Sequence, residues 1–318
     1  MVLTVLFFLL FQFPAFAQND VLAERKVTLM GSVFNITIVD QDSAKANANI
    51  DRTVSEITRI ENLISEWQPQ TQISEVNRNA GIRPVKVDPE VFELTRRAVE
   101  YSEISGGAFD ISTAAMDKIW KFDGSMTEMP TPETIKNSVR NVDYRNIVLD
   151  RVSSTIFLTR RGMKIGFGSI GKGYAADKGR ELMRSSGVKA GIVDASGDIA
   201  AWGTQPNGKP WAIGIRNPFK KQKIAQILRL KNDAVATSGS YEKFAEINGI
   251  RYSHIIDPQT GYPATGLTGV TIYGPSAEFA NALSTSVMVL GKKEGRKLVK
   301  KFPQYRFLFI TDDGKVIR

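Results

Sequence analysis

Residues 166–173 read GFGSIGKG, and the meaning given to those glycines decides the fold. Gly166, Gly168 and Gly171 make G-x-G-x-x-G. They follow TIFLTRRGMKIGF (155–167), which reads as strands, and open GKGYAADKGRELMRSSG (171–187), which reads as a helix stopped by Gly187. Asp194 ends the next strand about 20 residues on, where a dinucleotide fold keeps its ribose-binding acid. That reading demands a doubly wound parallel sheet. The same residues spell G-x-x-x-x-G-K, but Gly173 stands where a phosphate loop needs Ser or Thr for magnesium, so the P-loop reading fails. What outlives both patterns is physical. A glycine-rich turn lets backbone approach a ligand, a helix N-terminus offers its N–H groups to phosphate, and Lys172 adds positive charge.

The surroundings argue against the parallel sheet. Upstream, KVTLMGSVFNITIVD (26–40) alternates like a strand pair broken at Gly31-Ser32. A helix follows with Ile50, Val54, Ile57, Ile60 and Ile64 on one face. Another opens at Asp88-Pro89, a cap followed by proline at the first helical position, and stops at Gly106-Gly107. Downstream, AGIVDASGDIAAWG (190–203) leads into strands in WAIGIRNP (211–218), AQILRLKND (225–233), AVATSG (234–239) and LTGVTIYG (267–274). A helix across 276–291 has Ser276 as its cap and Gly291 as its stop, and a short helix and the hairpin FLFITDDGKVI (307–317) close the chain. Strands and helices lack the regular alternation of a doubly wound fold. The expected class is α+β: a single compact domain over residues 18–318, of mixed and antiparallel sheets with flanking helices.

The composition narrows the chemistry. The chain of 318 residues has one histidine, His254, and no cysteine, which excludes a thiol nucleophile and a His/Cys zinc site. Any metal is a hard cation held by oxygen. The net charge of +9 comes from scattered Lys and Arg rather than a basic tract, so no nucleic-acid partner is expected. Residues 1–17 form an apolar run closing in Ala15-Phe16-Ala17, which reads as a secretory signal peptide cleaved after Ala17. No Lys or Arg precedes the run, so an uncleaved anchor stays the alternative. The protein is expected outside the cytoplasm, where NAD(H) is not normally available.

His254 lies in RYSHIIDPQTGYPATG (251–266), beside Ile255 and Ile256, and on its own such a residue is more often structural than catalytic. Other turns have the same ambiguity: GGAFDIS (106–112) sets Asp110 behind a glycine pair, and VATSGSYEKF (235–244) places Ser238, Gly239 and Ser240 at a strand end. Several such turns in one exported chain suggest a wrapped, phosphate-rich ligand. In order, LMGSVFNI, EISGGAFDIS, GFGSIGKGYAADKG, IVDASGDIAAWG, ATSGSYEKF, YSHIIDPQTGYPATG and SAEFANALSTSVMVLG resemble the ApbE family of flavin transferases across nearly the whole chain after the leader. The H-I-I-D-P-x-T-G-x-P and K-G-Y-A-x-D segments are the most specific.

The resemblance implies an α+β, T-fold-related structure and a definite reaction. Such enzymes cleave FAD, release AMP and attach FMN through a phosphoester to Ser or Thr of a target protein, with magnesium as cofactor. Their targets are periplasmic or membrane-bound electron-transfer subunits carrying a short Ser/Thr motif. Some members instead hydrolyse FAD to FMN and AMP. The resemblance assigns flavin or FAD contacts to Met30, Trp67, Ala108, Phe109, Asp110, Gly166, Lys172, Ser238, Gly239 and Ile256. It assigns metal binding to Ser169, Asn281 and Thr285, and the catalytic role to His254. Two positions depart from the family pattern: Asn281 replaces the usual aspartate, and Gly166 an often-present one. Asn281 and Thr285 still share a helix face, and a metal is expected to bind either more weakly or with a replacement carboxylate, for which Asp198 and Asp257 are the candidates, Asp257 also reading as a plain Asp-Pro turn cap. The competing readings are an FAD pyrophosphatase, a non-catalytic flavin-binding protein favoured only by Asn281, and, last, a nicotinamide-dependent oxidoreductase.

Overall fold

The first hairpin shows how the chain sets its register. β1 (Val21–Leu29) and β2 (Ser32–Asp40) pair antiparallel around Met30-Gly31, which both have positive φ, 50° and 66°. Glycine accepts that conformation easily and methionine does not, and the Met30 N–H is held by Glu61 Oε2 at 2.9 Å. The turn thus lies one residue before the position read from the sequence. The computed structural model describes residues 20–219, 223–240 and 243–318, so the expected signal peptide lies outside the described residues.

Helix α1 (Ser43–Ile64) is capped by Asp42 and buries Ile50, Ile57, Ile60 and Ile64, as its period predicts. Next come α2 (Gln72–Arg78), β3 (Val85–Lys86) and α3 (Pro89–Ile104), the last capped by Asp88. Then follow α4 (Pro132–Ser138), β4 (Ile147–Asp150), β5 (Thr155–Leu158) and α5 (Gly171–Ser185). β6 (Ala190–Ala195) and β7 (Asp198–Trp202) form a tight hairpin, and β8 (Trp211–Arg216) and β9 (Ile224–Leu230) pair antiparallel. After β10 (Ala234–Gly239), β11 (Phe244–Ile247), β12 (Ile250–Ser253) and β13 (Leu267–Gly274) comes α6 (Ala277–Lys300), broken at Gly291 where φ is 70°. β14 (Arg306–Thr311) and β15 (Val316–Ile317) end the chain.

Eight strands make one open sheet in the order β1-β2-β6-β7-β10-β13-β14-β15. Every pairing in it is antiparallel. On one face, Phe34, Ile36, Ile38, Val193 and Ala200 pack under α1 and α5, and Ala236, Val270 and Ile272 pack under α6. On the other face, the β8–β9 hairpin sets Trp211, Ile215, Leu228 and Leu230 onto Val39, Ile199, Val235 and Leu308. Alternation along each strand feeds two cores at once.

The expected α+β class is thus the observed one, and the dinucleotide reading falls. With no parallel pair among the described strands, there is no crossover for its crevice. The strand expected before Gly166 also ends early: pairing covers only Thr155–Leu158. From there an irregular segment runs to Gly166, pinned by the Asn77 amide, which donates to the Ile165 carbonyl at 2.9 Å and accepts its N–H at 2.8 Å. Among the described residues, no helix is long and apolar enough to cross a membrane.

Candidate functional site

A cavity of about 1100 Å³ opens where the β6–β7 turn, the start of α5, the loop after β12 and the first turns of α6 converge. It brings together residues that lie far apart in sequence. Ala108, Phe109 and Asp110 line it from the turn after α3, and Ser169 and Lys172 from the glycine-rich turn. Ser238 and Gly239 come from the end of β10, His254 and Ile256 from the loop, and Asn281 and Thr285 from α6.

The floor is rich in oxygen. Asp198 opens β7 and is only 3% exposed; its Oδ2 accepts from Asn281 Nδ2 and lies 3.6 Å from Lys172 Nζ. Burial pushes the Asp198 carboxyl up to about 6, against the pull of Lys172 and the Asn281 amide. Asp194 is raised too, chiefly by burial, while accepting the Gly197 N–H at 2.7 Å. Beside them Ser238 Oγ lies 2.8 Å from Ser284 Oγ and 3.5 Å from Thr285 Oγ1. Among the described residues, no group of three or more His, Cys, Asp or Glu could hold an ion. The donors here are the carboxylates of Asp198 and Asp194, the Asn281 amide oxygen and hydroxyls, a set that fits a hard cation keeping several waters. Of the two candidates for a replacement carboxylate, Asp198 faces Asn281. Asp257 instead caps its own turn, accepting from Gln259 N at 2.9 Å and Thr260 Oγ1 at 3.0 Å.

That turn explains the spacing of the His254 segment. The Gly261 N–H donates to the Asp257 carbonyl at 2.9 Å, and Ala264 N to Ile255 O at 2.8 Å, folding the loop back on itself. Gly261 has φ of 77°, and a Cβ there would meet the Ile135 carbonyl at 2.6 Å. The loop carries His254 exposed at its mouth, with Nδ1 3.1 Å from the Lys243 carbonyl. A carbonyl only accepts, so in this contact Nδ1 carries the proton and donates. Across the cavity, α5 begins at Gly171 without a side-chain cap; the Gly171 N–H is taken by the Phe167 carbonyl at 2.6 Å, and Lys172 in the first turn lines the cavity, at the positive end of the helix dipole. A Cβ on Gly173 would meet the Ala277 carbonyl at 2.6 Å, which explains a glycine where a phosphate loop has a hydroxyl.

Three expected contacts lie elsewhere. Met30 holds the β1–β2 turn, its methyl packed toward Gly171 beneath α5. Trp67 is 73% exposed, with Lys118 Nζ 4.6 Å above its ring. Gly166 donates to the Ile111 carbonyl at 3.0 Å, and a Cβ there would strike Glu66 at 2.8 Å. None of the three lines the cavity. Asp110 does line it, but both of its oxygens are occupied: Oδ1 by Ser112 N and Oγ, Oδ2 by Tyr144 N. Burial raises its carboxyl as well. The sequence reading missed Lys26, Asn35, Arg216 and Lys243, which also line the cavity. Asn35 Oδ1 is buried without a hydrogen-bond partner among the described residues. The signal was present: Asn35 alternates with Phe34 and Ile36, a polar residue set between two that point to the core.

A family model described as the ApbE family matches residues 30–309. The FAD:protein FMN transferase of Treponema pallidum is 32% identical, over 92% of this chain and 85% of its own length. One from Klebsiella pneumoniae is 28% identical, over 91% and 89%. Among solved structures, the ApbE protein of Thermotoga maritima superposes with a TM-score of 0.84 at 31% identity, covering 93% of this chain and 96% of its own. The flavin transferase ApbE of Vibrio cholerae gives 0.81 at 25%, covering 94% and 97%.

Proposed function

This chain belongs to the ApbE family, and on that premise we propose that it is an FAD:protein FMN transferase. It takes FAD, transfers the FMN half to a Ser or Thr hydroxyl of an acceptor protein, and releases AMP. The observation that carries this reading is the meeting of three things in one cavity: the uncapped start of α5 with Lys172, the oxygen cluster around Asp198, and His254.

Each part meets a requirement of transfer at a pyrophosphate, which needs charge neutralisation, in-line positioning and a proton acceptor, and no protein nucleophile. Lys172, at the positive end of the α5 dipole, binds and orients the phosphates. Asp198, the Asn281 amide oxygen and the hydroxyl of Thr285, with Ser169 on the same wall, would hold a magnesium ion, which supplies further neutralisation of phosphate charge. The acceptor oxygen bonds to the FMN-side phosphorus as the bond from that phosphorus to the bridging oxygen breaks, and AMP leaves with the bridging oxygen. The hydroxyl proton passes to His254 Nε2. The leader read in residues 1–17 supports work outside the cytoplasm, with periplasmic or membrane-bound electron-transfer subunits as the acceptors.

The test uses purified protein, FAD and an exported electron-transfer domain, with and without magnesium. AMP is followed by chromatography and the acceptor by mass spectrometry. AMP together with an acceptor heavier by one FMN is the expected result. AMP with free FMN, across all acceptors tried, would make the protein a pyrophosphatase. Bound FAD with no AMP, even in excess magnesium, would make it a flavin-binding protein.

A further inference from the structure

The cavity does not stop at the transfer site. It continues round the Ser196-Gly197 turn onto the opposite face of the sheet, the one that carries the β8–β9 hairpin. Directly paired residues of an antiparallel sheet share a face, and the register links Lys26 to Asn35, Asn35 to Asp194, Asp194 to Ile199 and Ile199 to Val235. All five line the cavity. They form a polar-to-apolar row across β1, β2, β6, β7 and β10, with the orphaned Asn35 Oδ1 in it.

The wall facing this row is β8. Successive strand residues point to opposite faces, so a wall made from one face would contribute every second residue. Here Ala212, Ile213, Gly214, Ile215 and Arg216 all line the cavity in unbroken succession. The cavity therefore runs along the edge of β8. One edge of β8 is paired with β9, and among the described strands it has no other partner. The edge at the cavity thus presents a row of backbone N–H and C=O groups, a template for another extended chain. Of its outward residues, Ala212 is small and exposed, while the Ile224 side chain of β9 covers the outward position at Gly214.

We propose that this open edge of β8 is the acceptor-docking site: an extended Ser- or Thr-bearing segment of the acceptor protein adds to it as a strand and delivers its hydroxyl round the β6–β7 turn to the transfer site. The inference rests on the transferase reading above. A nucleotide satisfies a few polar groups at fixed points, whereas a repeating row of donors and acceptors along a strand of 6 residues matches another backbone. Lys26 and Arg216, which both line the cavity, favour a segment of acidic character.

The experiment uses an electron-transfer domain that becomes flavinylated in the assay above. In one arm its acceptor Ser or Thr is replaced by Ala, so that it docks without reacting, and amide exchange is read on the full chain with FAD bound. Strand addition slows exchange across residues 211–216 by about tenfold or more, and unchanged exchange there overturns the docking. In the second arm, Ala212→Trp narrows the space beside the edge. KM for the acceptor should rise about tenfold while FAD affinity stays at the wild-type value. A loss of FAD affinity instead would assign this lobe to the nucleotide and overturn the proposal. An active wild type with unprotected β8 removes the docking site alone. A wild type that transfers nothing to any acceptor removes the transferase reading, and the docking with it.

Discussion

Two carboxylates are buried where α6 meets its neighbours, and the protein treats them in opposite ways. Glu278 is 5% exposed and fully engaged: Arg97 grips it with two nitrogens at 2.8 and 2.9 Å, and the Tyr101 hydroxyl donates at 3.0 Å. Asp198 is as deeply buried, but a single oxygen carries both its bond from Asn281 and its 3.6 Å approach to Lys172. Glu278 is therefore a clamp, tying α3 to α6 outside the cavity lining. Asp198 is short of positive charge, beside hydroxyls that could share a cation with it. Burial alone marks neither as functional; the completeness of the partners does. Changes around Asp198 and His254 should move activity, and changes around Glu278 should move stability.

The largest effect expected is at the mouth of the cavity. His254→Ala should lower transfer about thousandfold, the scale of a lost proton acceptor, while FAD affinity and melting temperature hold. Transfer at the wild-type rate would remove His254 from the chemistry and leave Asp198 without a working neighbour.

The next effect is a pH dependence of stability in cation-free protein. The Asp198 carboxyl sits at about 6 in the fold, against about 3.9 in the unfolded chain. Its folded-state value is raised, so the fold prefers the protonated form. Its contribution is complete below about pH 4 and is lost as pH rises through about 6, to the extent of roughly 3 kcal/mol. Asp194, Asp110 and Glu66 are raised in the same direction, so the test is a difference. Denaturant unfolding in EDTA from pH 4 to 7 should fall less steeply for Asp198→Asn than for wild type. Parallel curves would show that Asp198 carries no such penalty.

At the clamp the outcome is reversed. Arg97→Met leaves Glu278 buried with only Tyr101 to donate, and should cost about 2–3 kcal/mol, below the range for fully buried pairs because the Arg97 side chain is 29% exposed. Thermal unfolding reads the loss, and transfer at a permissive temperature should stay near wild type. A stable variant with impaired transfer would erase the distinction between the two carboxylates.

The sequence made these two regions unequally legible. Helix α1, the caps at Asp88 and Ser276, and the break at Gly291 follow from period and local chemistry, and so could be read directly. The antiparallel order of the eight-stranded sheet could not, because pairing is set by tertiary contacts. The strand expected before Gly166 failed for a related reason: apolar alternation was present, but Asn77 rather than a strand claims the backbone of Ile165. His254, Lys172, Asn281 and Thr285 were found through motifs and do share the cavity. Lys26, Asn35 and Arg216 belong to no motif, and only the register brings them to it. Glu278 and Arg97 lie 181 positions apart, and nothing in either segment announces the other.

Asn281→Asp tests whether the underpaired state of Asp198 is itself the cation site. The substitution removes the N–H that now reaches Asp198 and sets a second carboxylate beside the first. Without a cation, the two like charges repel, and the protein should be slightly less stable than wild type. With one, two carboxylates replace a carboxylate and an amide, and each added charge tightens a hard-cation site. Magnesium affinity should therefore rise about tenfold, roughly 1.4 kcal/mol, read as the midpoint of a thermal-shift titration rather than as turnover. An unchanged midpoint would mean that residue 281 only positions Asp198. The cation would then have to be held without the α6 side chain at that position, with Asp198 and the hydroxyl of Thr285 as its protein donors.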